Sequence, residues 1–214
     1  MMHKRNIWVG AVVGSLIGFF GPVASAQADT IYSNFGAGYS YGAFGWTIGA
    51  PVGLGVSFWP RMQFTSGGNY DLTQIDLALG YSSGTNAVTV SLYTDSGGSL
   101  GNLLGSWNLS SLANFSDGSS VQTISGIANI SLVSAAYWLQ VTPSGDFLGG
   151  WNKNNTGATG PKCSDPLPCE TDILGAFDVI GTAETPIPGA LPLFATGLGV
   201  GLMTWRRKRK ANRC

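Results

Sequence analysis

The chain has 214 residues, with eleven basic and eleven acidic side chains and a single histidine, His3. Residues 29–184 hold all eleven acids against three cations, Arg61, Lys153 and Lys162, which gives this segment a net charge of −8. An acidic surface repels phosphate backbones, so nucleic-acid binding is not expected. The lack of any later histidine excludes a Ser-His-Asp or Cys-His relay and a His-ligated zinc site in this segment.

The N-terminus has the pattern of a secretory signal peptide. Two cations precede an uncharged apolar run, residues 7–20, and small residues come next in the small-x-small arrangement of a cleavage site. We therefore predict a helical signal peptide over residues 1–28, cleaved after Ala26 or Ala28, and export of the mature domain through the secretion translocon. A retained N-terminal anchor is the alternative.

Residues 29–182 are predicted to form one all-β domain. Glycine supplies 32 of the 214 residues, about twice its usual share, and it recurs between short apolar runs without a collagen-like period. Alternation of period two predicts half-buried strands, and no segment here has an amphipathic-helix period. The inward positions are predicted at Ile75, Leu77, Leu79, Val88, Val90, Leu92, Tyr137, Leu139 and Val141. Many short strands separated by Gly, Ser, Asn and Asp turns indicate an antiparallel β-sandwich or jelly roll.

Several segments of this domain resemble the choice-of-anchor R family, which occurs with different surface-anchoring tails. They are Asn34-Phe35-Gly36, Phe44-Gly45-Trp46-Thr47-Ile48, residues 70–79, residues 91–98, Tyr137-Trp138-Leu139 and Gly149-Gly150-Trp151-Asn152. The resemblance implies a β fold at the cell surface and names no ligand.

Cys163 and Cys169 are predicted to form a disulfide. Export places both thiols in an oxidising compartment, and two prolines bend the five-residue spacer between them. The alternative is a pair of free thiols in a mobile loop. Cys214 lies beyond the basic cluster of the tail and cannot partner either one before processing.

Tryptophans supply the candidate ligand contacts of the domain. Trp151 and Asn152 are the candidate glycan contact, because an indole can stack on a sugar ring while an amide binds its hydroxyls, and Trp138 has outward parity. The alternative is that the tryptophans fill the core or cover its rim. The five tryptophans of the predicted β domain are Trp46, Trp59, Trp107, Trp138 and Trp151.

No cofactor is expected, and a structural Ca²⁺ is the alternative to be tested. Aspartates near turns could bind such an ion, although isolated turn aspartates usually form Asx turns. Those considered are Asp71, Asp76, Asp95 and Asp117.

The C-terminus has three parts in a fixed order. Residues 183–190 form a Pro-rich linker, residues 191–205 an uncharged stretch predicted to be a transmembrane helix, and residues 206–214 a basic tail predicted to stay cytoplasmic. A permanent single-pass anchor and a buried C-terminal helix are the alternatives, and five consecutive cations argue against the second.

This tail resembles the PEP-CTERM sorting signal of Gram-negative bacteria, in the variant with Val/Ile-Pro-Leu-Pro-Ala. Family membership implies recognition by exosortase, a membrane transpeptidase that would cut near the Pro motif and release or re-anchor the domain. The resemblance assigns the sorting signal to Pro186, Pro188, Gly189, Ala190, Pro192, Arg206, Arg207, Lys208, Arg209 and Lys210, and Gly189-Ala190 stands where many members have Glu-Pro or Leu-Pro-Ala.

These observations favour an exported, non-catalytic cell-surface or extracellular-matrix protein. Its expected partners are the translocon, exosortase and, before processing, the inner membrane. A carbohydrate-binding module of the β-sandwich type, with polysaccharide as partner, is the alternative. A hydrolase that works with two carboxylates alone is a third hypothesis.

Overall fold

The computed structural model describes residues 27–51, 53, 55–115 and 119–184. The predicted signal-peptide helix, the transmembrane helix, the basic tail, the sorting residues from Pro186 onward and Asp117 lie outside these residues. Ala28 lies inside them, as the first residue of the first strand. Within the described part of the chain, no helix is long and apolar enough to cross a membrane.

The described residues form thirteen β-strands and no α-helix. The strands are β1 (Ala28–Ser33), β2 (Gly45–Gly49), β3 (Trp59–Thr65), β4 (Tyr70–Ser83), β5 (Ala87–Asp95), β6 (Leu100–Ser110), β7 (Ser120–Ser125), β8 (Ser131–Leu132), β9 (Ala136–Pro143), β10 (Leu148–Asn152), β11 (Thr159–Asp165), β12 (Leu167–Ile173) and β13 (Phe177–Ala183). The all-β prediction is confirmed.

The strands form two antiparallel sheets that enclose one core, as in a β-sandwich. In the first sheet, of order β1-β13-β4-β10-β2, strands β13 and β10 follow one another along the same edge of β4. Strands β7 and β8 pair with the opposite edge of β4. The second sheet has the order β12-β11-β3-β9-β5-β6. Strand β4 is long enough, at 14 residues, to pair with β13 along one part and with β10 along the next.

Apolar side chains at alternate positions of the strands form the core. In β5, Val88, Val90 and Leu92 are fully buried between the sheets. In β4, the apolar face predicted from the sequence is buried in the same way. Burial of these aliphatic side chains, at about 1.5–3 kcal/mol each, is the main favourable term that offsets the chain entropy lost on folding.

Glycine serves close packing as well as turns. Gly49 has φ +95°, and a Cβ there would collide with the backbone oxygen of Phe147. Gly80 and Gly150 face each other across β4 and β10, and the ring of Phe115 occupies the space that side chains would take. The high glycine content therefore also lets an aromatic ring lie directly on a sheet.

Candidate functional site

The β11–β12 hairpin is closed by a disulfide between Cys163 and Cys169. This confirms the predicted pairing. The hairpin lies at one edge of the second sheet, where β11 pairs with β3. Cys163 on β11 is buried and Cys169 on β12 is exposed. The disulfide therefore connects an inner strand of the sheet to its outermost strand.

Arg61 joins this hairpin to the outer face of the second sheet. It lies opposite Cys163 in the β3–β11 register, and its Nη1 donates to Asp165 Oδ2 at 2.8 Å. Its Nη2 is 3.7 Å from Cys169 Sγ, and its guanidinium carbon is 5.7 Å from the ring centroid of Trp138. The Arg61 side chain thus contacts a carboxylate, a disulfide sulfur and an aromatic ring.

Trp138 lies on this outer face, as its parity predicts, but it is not exposed. Its indole N–H donates to Asp95 Oδ1 at 2.7 Å, and Gln63 Nε2 donates to the same oxygen at 2.8 Å. Burial opposes the charge of Asp95, but hydrogen bonds from the Gly98 N–H, Trp138 and Gln63 outweigh it, so the pKa of Asp95 is lowered. Side chains of neighbouring strands therefore cover Trp138, leaving it 1% exposed.

Trp59 is the aromatic side chain that this edge does expose. It is 44% exposed, starts β3, and lies opposite Asp165 in the β3–β11 register. Its indole N–H donates to Ser57 Oγ at 3.2 Å. A shallow depression is lined by Val56, Ser57, Trp59, Asp165 and Pro166.

This depression combines a flat aromatic face with a carboxylate and a nearby guanidinium, groups able to stack on a ring and bind hydroxyls. Trp59 is one of the five tryptophans within residues 29–184, and no local motif selects it. Its shared parity with Arg61 and Gln63, two polar residues of the same strand, was the available signal.

The predicted glycan contact at Trp151 and Asn152 is wrong. Trp151 is completely buried, its indole N–H donates to the Ala176 carbonyl at 3.0 Å, and its ring meets Phe177 edge-on. Asn152 is also buried, and its amide donates to the Gly42 carbonyl at 2.8 Å. A sugar ring has no access to this indole, which is part of the core.

The three cations of the domain are all engaged in contacts. Arg61 pairs with Asp165, and Lys162 pairs with Glu170 at 2.7 Å. The Nζ atoms of Lys153 and Lys162 lie 3.8 and 3.4 Å from the ring centroid of Trp46. The remaining acids have no basic partner in the described part of the chain.

Asp76 and Asp178 form a buried pair of like charges. They lie directly opposite each other on β4 and β13, and they are 2% and 6% exposed. Gln74 Nε2 donates to one oxygen of Asp76, and one oxygen of each carboxylate is buried without a hydrogen-bond partner among the described residues. Burial raises the pKa of Asp178, the hydrogen bond with Ser33 opposes this rise, and the charge of Asp76 adds to it.

The other turn aspartates within the described ranges bind to nearby protein groups. Asp71 accepts from Ser131 Oγ at 2.7 Å, and Asp95 accepts from the Gly98 N–H at 3.1 Å, as Asx turns do. Over the residues that the structure describes, no group of three or more His, Cys, Asp or Glu side chains is arranged to hold a metal ion.

Comparison with models of known protein families gives no match, and a search of curated proteins gives no significant match.

Proposed function

We propose that this chain is an exported, non-catalytic protein of the cell surface or extracellular matrix, delivered by the translocon and processed at its C-terminus by exosortase. The observation that carries the proposal is the Cys163–Cys169 disulfide, because such bonds persist in oxidising compartments outside the cytoplasm. It agrees with the signal peptide expected from residues 1–28.

The end of the last strand supports the role of the tail as a removable element. Strand β13 ends at Ala183, and the Pro-rich segment comes directly after it. Among the described residues, the core contains side chains from both sheets. Cleavage near Pro186 or Pro188 would therefore leave every described strand intact.

We expect cells that lack exosortase to retain the full-length chain in the inner membrane. Cells with the enzyme should yield a shorter product at the surface or in the medium. Subcellular fractionation with an antibody against the β domain measures this difference. Pro188→Ala should resemble the loss of the enzyme, while Thr185→Ala serves as the neighbouring control. Equal amounts of full-length chain in both strains would refute exosortase processing.

Carbohydrate binding is a second candidate function, and the exposure of Trp59 favours it. Stacking on the free indole face, with hydroxyls bound by Asp165 and Ser57, is the usual chemistry of a sugar subsite. The site lies at the sheet edge beside the disulfide hairpin, where Arg61 binds Asp165 and Asp165 lies opposite Trp59 in the register.

Trp59→Ala is expected to weaken glycan binding at least about tenfold, or ~1.4 kcal/mol, because the stacking surface is lost. Binding is measured on a glycan array and on polysaccharide purified from the producing cells. Phe44→Ala removes another exposed aromatic ring and should leave binding unchanged. Unaltered binding in Trp59→Ala would exclude this site.

A further inference from the structure

One side of the sandwich, formed by β6, β7 and β8 and called the uncharged side below, has no charged residue on these strands. Between Ser96 and Gly145 the chain has a single charged residue, Asp117, although the domain as a whole has a net charge of −8. Strands β6, β7 and β8 belong to this stretch. The nearest acids lie on the adjoining strands: Asp95 of β5 is opposite Leu100 at the start of β6, and Asp71 of β4 accepts from Ser131 of β8.

These strands form free edges on the same side of the sandwich. Among the described strands, β6 pairs only with β5, while β7 and β8 pair only with β4. The two sheets meet here, since a Cβ on Gly105 of β6 would lie 2.8 Å from Ile130, next to β8. The uncharged side therefore has an exposed edge from each sheet.

Strand β6 lacks the features that usually protect an edge strand. It has eleven residues and contains no charged residue and no proline. Leu103 is 55% exposed, and Leu104, Trp107 and Leu109 are only partly buried against the core. A bulge interrupts its first half, but Gly105–Ser110 runs in regular register with β5. No other described strand pairs with the outer backbone groups of this six-residue segment, which can therefore pair with another chain.

The opposite edge of the same sheet is different. Strand β12 contains Pro168, Glu170 and Asp172, and five of its seven residues are exposed. Charges and proline on an edge discourage pairing with another chain. Since the same domain protects one edge and leaves the other unprotected, β6 is the edge available for association.

We propose that the uncharged side is a self-association surface on which a second copy of this chain docks, with the two β6 strands paired antiparallel about a two-fold axis. An antiparallel edge is complementary to itself, because each strand supplies the donors and acceptors that the other lacks. A second copy is the occupant that the charges favour. Two domains with a net charge of −8 each repel one another least when their uncharged sides meet.

The test is the association state of the full chain in detergent, measured by sedimentation velocity over a range of concentrations. We expect the wild type to dimerise and the double variant Leu103→Lys/Asn108→Lys to raise the dissociation constant at least about tenfold. Both side chains are exposed, so folding should be preserved, as checked by circular dichroism and thermal unfolding.

Leu167→Lys is the matched control. It replaces an exposed leucine on β12, the opposite edge, and should leave the dimer unchanged. A monomeric wild type, or a double variant that dimerises as tightly as the wild type, would overturn the proposal. Dimerisation lost equally in Leu167→Lys would also overturn it, because the added charge alone would then be responsible.

Discussion

Trp151→Ala is expected to lower the free energy of unfolding by about 3–5 kcal/mol, the usual cost of removing a large aromatic side chain from a core. The indole is fully buried and packs edge-on against Phe177, with ring centroids 5.7 Å apart. Its N–H donates to Ala176, and the backbone of Gly175 lies so close that a side chain there would collide with the indole. The substitution therefore leaves a cavity and removes one of the two hydrogen bonds that the Ala176 carbonyl accepts, the other coming from the Ala78 N–H.

Chemical denaturation monitored by circular dichroism measures this loss. Trp59→Ala is the control, since the same residue type is removed from an exposed position, and its cost should stay below about 1 kcal/mol. Equal costs for the two variants would contradict the placement of Trp151 in the core. The comparison also bears on binding assays, because lost glycan binding in Trp151→Ala would report unfolding.

Asp178→Asn is expected to stabilise the domain at pH 8 by roughly 1–3 kcal/mol, because it removes one of two opposing buried charges. The Asn amide can donate to the carboxylate oxygen of Asp76 that has no partner among the described residues. Few single substitutions of a buried polar residue are expected to increase stability, so the sign of the effect is diagnostic.

The effect should depend on pH in a defined direction. Because the pKa of Asp178 is raised in the folded state, the folded chain holds this proton more tightly than the unfolded chain does. The stability that this proton provides is complete below the ordinary value of 3.8 and is lost as pH rises through the raised pKa. The advantage of the Asn variant should therefore grow as pH rises.

Urea denaturation of both proteins from pH 4 to pH 8 tests this dependence. Asp29→Asn changes the net charge by the same amount at an exposed position of β1 and should show no comparable gain. An Asp178→Asn variant that is less stable than the wild type at every pH would show that the carboxylate is favourably bound in the fold.

Local patterns were sufficient to predict strands whose two faces differ. Val88, Val90 and Leu92 alternate with polar residues, and the structure buries all three. The alternation in β9 predicts the direction of its side chains correctly but not their exposure. Trp138 points to the outer face, yet Arg61 and Gln63 of β3 and Asp95 at the end of β5 surround it. Which strands flank β9 depends on sheet order, which no local pattern contains.

The candidate site illustrates the same limit. A tryptophan next to asparagines has the composition of a glycan contact, but Trp151 is buried because β10 lies between β2 and β4 and faces the core. Trp59 is exposed because it lies at the end of β3, beside the last residue of β11. Both positions depend on pairing between residues far apart in the chain. The disulfide was predictable, since its cysteines are separated by only 6 positions.

The position of β13 determines how a mechanical load would enter the domain. This strand lies inside its sheet, with β1 on one side and β4 on the other. A force applied along the strand at Ala183 must shear two hydrogen-bonded ladders together. Pulling Ala28 away from Ala183 would instead open the β1–β13 ladder one pair at a time, because Ala28 lies opposite Thr182. A domain tethered through its C-terminal end in flowing liquid would thus be loaded in the shearing geometry, which is the stronger of the two. The lifetime of the folded domain under this load would be governed by its unfolding rate.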